Sequence, residues 1–266
     1  MNALNTIKVK GKVNSVVHSF PVLTFHAIED QPSVISFPPQ VFERGMAKLN
    51  EKGYQTIGLM KVIECLRQKK PFPDRSFTIT FDDGYQTVYQ EAFPVLQRYG
   101  MSATVFLTVG RKGDETAKDH LPSLQGRPML SWQRIREMQR YGIEFGAHTC
   151  AHPDLTRLPL KQVEMEIYDS KAILEDALGA QVASFAYPYG RYDSRIKKIV
   201  EKGFVCACSD KLGLVHSHSD PYALERVEMY YFRTPQLFNV IGTKFLPGYL
   251  LLRNIPRSIK RSFKWE

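Results

Sequence analysis

No run of about 18 consecutive apolar residues occurs anywhere in the chain of 266 residues, so the sequence predicts no transmembrane helix. The first ten residues, Met1 to Lys10, hold no long apolar segment with a small-residue cleavage site, so a classical secretory signal is not expected. The expected location is cytoplasmic or peripheral to a membrane. Cysteine is scarce. Cys65, Cys150, Cys206 and Cys208 form no CxxC pair, which excludes a structural zinc ribbon and gives no basis for a disulfide framework. Exact repeats and low-complexity linkers are also missing. The formal net charge is +9, but no nucleic-acid recognition motif accompanies it, so nucleic acid is not an expected partner.

What is present is a chain able to build a core, with 43% hydrophobic residues. The positive charge is uneven. Arg233, Lys244, Arg253, Arg257, Lys260, Arg261 and Lys264 follow one another with only Glu266 against them, and Leu, Phe and Trp265 are interleaved. Residues 1–16 read as an N-terminal extension, 17–232 as one domain, and 233–266 as a basic C-terminal extension. That extension is either a helix docked on the domain or a segment lying on anionic lipid.

One pattern recurs through the domain. A charged helical stretch ends near a glycine, and a short apolar strand follows, at Gly53, Gly100, Gly142, Gly179 and Gly203. Glycine stops helices because it enters the left-handed conformation without a Cβ clash. Strands alternating with helices predict a parallel sheet. A helix is expected over Thr87–Tyr99, kinked or broken at Pro94. Another starts after the cap Ser131, and a long amphipathic one covers Leu160–Leu178. A short helix is expected at Ser194–Glu201. Residues 110–128 read as an insertion loop near the active face. Cys206 and Cys208 alternate in a strand and are expected to pack in the core.

The residues able to do chemistry fall just past apolar runs. His26 follows Val-Leu-Thr-Phe, Asp82-Asp83 follows Thr-Ile-Thr-Phe, His148 follows Ile-Glu-Phe-Gly-Ala, and Tyr187 to Gly190 follows Ser-Phe-Ala. Barrel enzymes gather their reactive groups at the C-terminal ends of strands, so the expected fold is an α/β barrel rather than an open sheet. Asp82 and Asp83 would repel each other in a dry cleft unless a cation intervened. His148 and His152, four apart on a helical turn, would face one way and complete an Asp-His-His site. Adjacent side chains diverge, so one aspartate should bind the ion and the other face its water as a general base. Zn²⁺ suits such ligands, as do Co²⁺ and Ni²⁺. Cys150, two residues from His148, points away and is expected to pack.

With Phe81-Asp82-Asp83-Gly84, His148-Thr149-Cys150-Ala151-His152 and Tyr187-Pro188-Tyr189-Gly190, the chain resembles polysaccharide deacetylases of the NodB-homology type, carbohydrate esterase family 4. The order of its segments is similar to that of the poly-N-acetylglucosamine deacetylase branch, whose barrel looks circularly permuted. The resemblance implies a deformed (β/α) barrel in a single domain, a divalent metal, and hydrolysis of N-acetyl groups on amino sugars of a glycan. It also implies Asp82 as general base, Asp83, His148 and His152 as metal ligands, and the Tyr189 backbone N–H as an oxyanion donor.

The chain departs from that family at two points. Ala186 stands where an arginine usually orients the base. Arg226, within an apolar strand, is the expected substitute, with Arg191 the alternative. The late Leu-x-His element is missing from its usual place, although Leu214-Val215-His216 matches in letters. His26 is the expected general acid or site-lining residue, on a strand that could close the barrel. Tyr85, Trp132 and Tyr187 are expected to offer sugar-stacking faces. Two further readings stay open: deacylation of a lipid-linked amino sugar at a membrane surface, and a glycan-binding homologue with weakened catalysis.

Overall fold

A computed structural model of the protein describes residues 19–111, 113 and 117–262, with side chains through Ile255. The N-terminal extension 1–16 and the last four residues lie outside the described residues.

The elements run in chain order as β1 (Ser19–Phe20), β2 (Val22–Phe25), β3 (Ala27–Ile28), β4 (Ser36–Phe37), α1 (Pro39–Glu51), β5 (Gln55–Thr56) and α2 (Leu59–Arg67). Next come β6 (Ser76–Phe81), α3 (Phe93–Arg98), β7 (Thr104–Leu107), α4 (Trp132–Arg140), β8 (Glu144–Ala147) and α5 (Leu160–Leu178). The last are β9 (Ser184–Ala186), α6 (Ser194–Gly203), β10 (Cys206–Leu212), β11 (Val215–His216), β12 (Leu224–Glu228), α7 (Pro235–Phe238) and α8 (Leu246–Ser262).

Seven parallel strands close into a barrel in the order β2-β12-β10-β9-β8-β7-β6, with β2 pairing back onto β6. The closing strand is the early one. Val22 pairs with Thr78 and Phe25 with Phe81, which sets the residue after β2 beside the residue after β6. The short β5 pairs with the start of β6 at Ser76 and Phe77.

Strand alternation sorts the side chains into two cores. Leu23, Phe25, Ile79, Phe81, Ala207 and Val227 join the layer between barrel and helices. Val22, Phe106, Cys206, Cys208 and Leu224 form a second cluster with Leu59, Val62, Ile63 and Leu66 of α2. That helix closes the N-terminal end of the barrel. Each such side chain gains roughly 1.5–3 kcal/mol on burial, so an apolar strand is held at both faces. Cys206 and Cys208 are fully buried, and burial pushes the Cys208 thiol up to about 12, which leaves it unreactive.

The helix boundaries follow local chemistry. Ser131 caps α4 by accepting from the Arg134 N–H. The helix around Pro94 is interrupted: a π-helical turn at Val88–Ala92 gives way to α3, where Pro94 occupies the first turn and needs no N–H partner. Gly53, Gly100, Gly142 and Gly179 take positive φ after their helices. Gly203 differs, since it stays helical against the Tyr168 ring, where a Cβ would lie 2.8 Å from Cε1. After β12 the chain stays attached. Phe238, Ile241, Leu246 and Leu250 are buried, and Phe238 packs edge-on against Phe37.

Candidate active site

The site lies at the C-terminal ends of the barrel strands, in a cleft of about 610 Å³. Asp82 and Asp83, at the end of β6, are both 3% exposed. They diverge because Asp83 turns into the left-handed region, with φ 75. Its Oδ1 lies 3.4 Å from His148 Nε2 and 3.3 Å from His152 Nε2. Among the described residues, Asp83 Oδ1 is buried with no hydrogen-bond partner.

This cluster fits a cation. His148 Nδ1 lies 2.7 Å from the Ala186 carbonyl, which can only accept, so Nδ1 carries the proton in the neutral ring. Nε2 is then a lone pair facing a carboxylate oxygen. Two acceptors do not hold each other, so a positive centre belongs between them, either a proton on the imidazole or a cation shared with His152. Donors each about 2.1 Å from a tetrahedral ion sit roughly 3.4 Å apart, close to the spacing of Asp83 Oδ1 from each imidazole Nε2. The ligand atoms of Asp83, His148 and His152 all lie within 4.8 Å of one another. Burial raises the Asp83 pKa, but the two imidazoles outweigh it and hold the carboxyl well below its usual range. For His148, burial pulls downward, and Asp83 and Asp82 reverse it to a net rise.

The segment carrying the histidines is not the helical turn expected from their spacing. Thr149 and His152 have φ 69 and 55, and the chain from 148 to 153 is irregular. The imidazoles converge because this loop is clamped. Thr149 Oγ1 accepts from the His152 N–H at 3.0 Å. Glu166 on α5 accepts from the Cys150 and Ala151 N–H groups at 3.0 and 2.9 Å. Thr108 Oγ1 donates to the His148 carbonyl at 3.2 Å. Cys150 is buried in the core, as its position implied. The sequence reading passed over Glu166, although a lone carboxylate among Val163, Ile167 and Leu174 signals a buried partner.

Asp82 has a different environment. Arg226 Nη1 and Nη2 donate to its two oxygens, both at 2.8 Å, and Arg226 Nε donates to the Ser209 carbonyl at 2.9 Å. Leu224, Arg226 and Glu228 alternate inward along β12, so the arginine rises from the barrel interior beneath the cleft. Burial raises the Asp82 pKa, yet Arg226 prevails and keeps it lowered. Arg191, the alternative, pairs with Asp154 instead.

His26 follows β2 and sits with Nε2 3.8 Å from Asp82 Oδ2, lining the cleft. His216 pairs with Ser19 ahead of β2, at the opposite end of the barrel, and does not line the cleft. Tyr189 lines it with its ring 55% exposed, stacked edge-on against His152, in a turn with φ 56. Gly190 follows with φ 63, where a Cβ would lie 2.1 Å from Asp210 Cβ.

Of the three expected sugar-stacking residues, Tyr85 and Trp132 lie off the cleft, and Tyr187 lines its floor with its ring buried. Tyr85 is 1% exposed, its ring beneath Arg127 and its hydroxyl toward Asp83, which with burial pushes the phenol up. Tyr187 is fully buried, stacked on Tyr192 with its hydroxyl donating to the Tyr222 carbonyl. Trp132 lies off the cleft and donates from Nε1 to the Ala117 carbonyl. Aromatic residues next to strand ends looked accessible from the sequence, but these rings fill space under the loops. The tyrosine rings that line the cleft with surface to spare are Tyr189, Tyr230 and Tyr231, above the buried Tyr187. Tyr230 and Tyr231 follow β12 in a 3₁₀ turn, with no chemical motif to mark them. The 110–128 loop contributes Gln125 to the rim.

Comparison with known proteins agrees with this architecture. The family described as Polysaccharide deacetylase matches residues 69–204. The chain is 33% identical over 210 residues to the putative polysaccharide deacetylase YxkH of Bacillus subtilis, covering 79% of this chain and 71% of that protein. It is 30% identical over 139 residues to the poly-beta-1,6-N-acetyl-D-glucosamine N-deacetylase of Escherichia coli, spanning 50% of this chain but only 21% of that longer protein. The fold matches the Streptococcus pyogenes deacetylase PplD, solved with acetate, at a TM-score of 0.71 and 23% identity, over 88% of this chain and 97% of that one. The chain belongs to the polysaccharide deacetylase family.

Proposed function

We infer that the protein is a metal-dependent hydrolase that removes N-acetyl groups from amino sugars in a polysaccharide or oligosaccharide. The observation that carries this reading is the unpartnered Asp83 Oδ1 set between two imidazole nitrogens, beside an aspartate held by Arg226. Asp83, His148 and His152 would hold the ion, with Zn²⁺ the best match and Co²⁺ or Ni²⁺ acceptable. Once bound, it would polarise the acetamide carbonyl and acidify a water.

Asp82 accepts the proton from the attacking water. Arg226 keeps that carboxylate ionised and aimed at the cleft. The Tyr189 N–H donates to the oxyanion as it develops, an arrangement that stabilises charge without reorganisation. His26 hands a proton to the departing amine. The exposed face of Tyr189, with Tyr230 and Tyr231, offers a platform for pyranose rings. The names of the Escherichia coli and Staphylococcus aureus relatives favour a poly-β-1,6-N-acetylglucosamine substrate.

One observation favours a second substrate form, a lipid-linked amino sugar at a membrane surface. Arg253 of α8 lines the cleft, and the same helix carries exposed Leu251, Leu252 and Ile255. Of the two expected locations, cytoplasmic or peripheral to a membrane, this substrate form goes with the second. Acetate release is to be measured across β-1,6 and β-1,4 N-acetylglucosamine oligomers and a lipid-linked N-acetylglucosamine, after metal reconstitution. Release from the β-1,6 series supports the main reading. Release from the lipid-linked sugar alone moves the assignment to the second form, and release from none of them refutes both.

A further inference from the structure

Helix α8 is amphipathic in the wrong direction for a helix that meets only water. Leu246 and Leu250 are 4% and 3% exposed and face the barrel. The same side is fastened by polar contacts. Tyr249 Oη donates to the Tyr231 carbonyl at 2.7 Å, and Asn254 Nδ2 donates to the Leu212 carbonyl at 2.9 Å. The opposite side presents Leu251, Leu252 and Ile255, exposed by 68%, 67% and 58%, and Phe245, 66% exposed, stands in the turn just before the helix. Spacings of four from Leu251 and three from Leu252 put both on one stripe with Ile255, and Phe245 leads into it from the preceding turn. Exposed single leucines are ordinary, but a fixed apolar stripe on a docked helix is not.

Charge around the stripe selects its partner. Between Glu228 and Glu266 the sequence contains no acidic residue and seven basic ones. Lys244 precedes Phe245 and Arg253 flanks the stripe. The first 18 residues also lack any acid and carry Lys8, Lys10 and Lys12. A second copy of the chain, or this chain's own N-terminal segment, would therefore set cations against cations. An anionic bilayer complements both features, because apolar side chains enter the acyl boundary while lysine and arginine meet the headgroups.

We propose that α8 is an interfacial helix that docks the protein on an anionic membrane through Leu251, Leu252 and Ile255, together with Phe245 of the preceding turn. Arg253 ties this face to the cleft. Its Nε donates to Tyr249 Oη at 3.0 Å, and its guanidinium lies over the rings of Tyr231 and Tyr249 at 5.4 and 5.2 Å. Docking through α8 thus brings the cleft mouth beside the lipid surface. This surface role is independent of the chemistry proposed for the cleft.

The test is flotation of the full chain with phosphatidylglycerol/phosphatidylcholine vesicles and with pure phosphatidylcholine vesicles. Alongside it runs the Leu251→Glu/Leu252→Glu variant, with its fold checked by circular dichroism and thermal melting. The wild type is expected to bind the anionic vesicles at least about tenfold better than the neutral ones, and to lose binding as salt rises. The variant is expected to melt like the wild type and to lose at least about tenfold in partitioning. Light scattering across protein concentrations closes the test. The proposal is overturned by equal partitioning of wild type and a folded variant, by failure to float with anionic vesicles, or by a dimer that the substitutions dissolve. Should the double variant not fold, Leu252→Ser alone is measured in its place on the anionic vesicles, with a several-fold loss expected and the same outcomes decisive.

Discussion

Arg226 grips both oxygens of Asp82 at 2.8 Å although 144 residues separate them in the chain. The pair joins the last barrel strand to the turn after β6, across the strand that closes the barrel. Its burial is nearly complete, with side chains 6% and 4% exposed. Such a pair is expensive to break from one side, since the survivor remains as a buried, uncompensated charge.

Replacing Arg226 with Met therefore has two expected effects. Stability falls by about 3–5 kcal/mol at neutral pH, read by denaturant unfolding. The acid limb of the pH–rate profile moves upward. The sign follows from the lowered Asp82 pKa, which the arginine maintains against burial. Without it the carboxylate binds a proton at higher pH and the base is lost sooner. In the wild type, the stability tied to this depressed group is present above the ordinary aspartate range. It is lost as pH falls through the lower, folded value. An unmoved acid limb in a folded variant contradicts the positioning role.

Glu166 touches no substrate, yet it holds the N–H groups of Cys150 and Ala151 between the two histidines. Glu166→Gln keeps the shape and weakens this clamp. The expected outcome is a loss of metal affinity of about 10–100-fold, measured by competition with a chromophoric chelator. Unchanged affinity would reduce Glu166 to a packing residue.

His152→Ala removes one of the three clustered donors. Zinc binding is expected to drop below stoichiometric in dialysed protein. The melting temperature is expected to stop responding to added Zn²⁺, because only ligand that binds the folded state stabilises it. Tyr230→Ala, at the cleft wall, is expected to raise KM several-fold on oligosaccharides with kcat little changed. A fall in kcat alone would place that ring nearer the chemistry.

Much of this was legible before the structure. The strands announced themselves as short runs rich in β-branched and aromatic residues, such as Ser-Phe-Thr-Ile-Thr-Phe of β6, buried on both faces. The reactive residues announced themselves by standing just beyond those runs. Arg226 was recoverable from its place between Leu224 and Val227, a setting that predicts a buried charge in need of a partner. What escaped was loop geometry. The histidine spacing suggested a helical turn, whereas Thr149 and His152 adopt left-handed backbone, which costs roughly 1–3 kcal/mol each and persists only because the clamp over-determines it. Tyr85 and Tyr187 escaped for a related reason. An aromatic beside a motif can face the cleft or the packing beneath it, and only tertiary structure decides. Tyr230 and Tyr231 reach the cleft from a 3₁₀ turn after β12 that carries no periodic signal.

The central claim concerns the division of labour between neighbouring aspartates. The most direct measurement pairs acetate release with metal content, in wild type and Asp82→Asn, each stripped by chelator and reconstituted with Zn²⁺. The account predicts turnover in reconstituted wild type and none after stripping. It predicts stoichiometric metal in Asp82→Asn with turnover reduced by at least about 100-fold. Full activity in that variant, or undiminished activity in metal-free wild type, would contradict it.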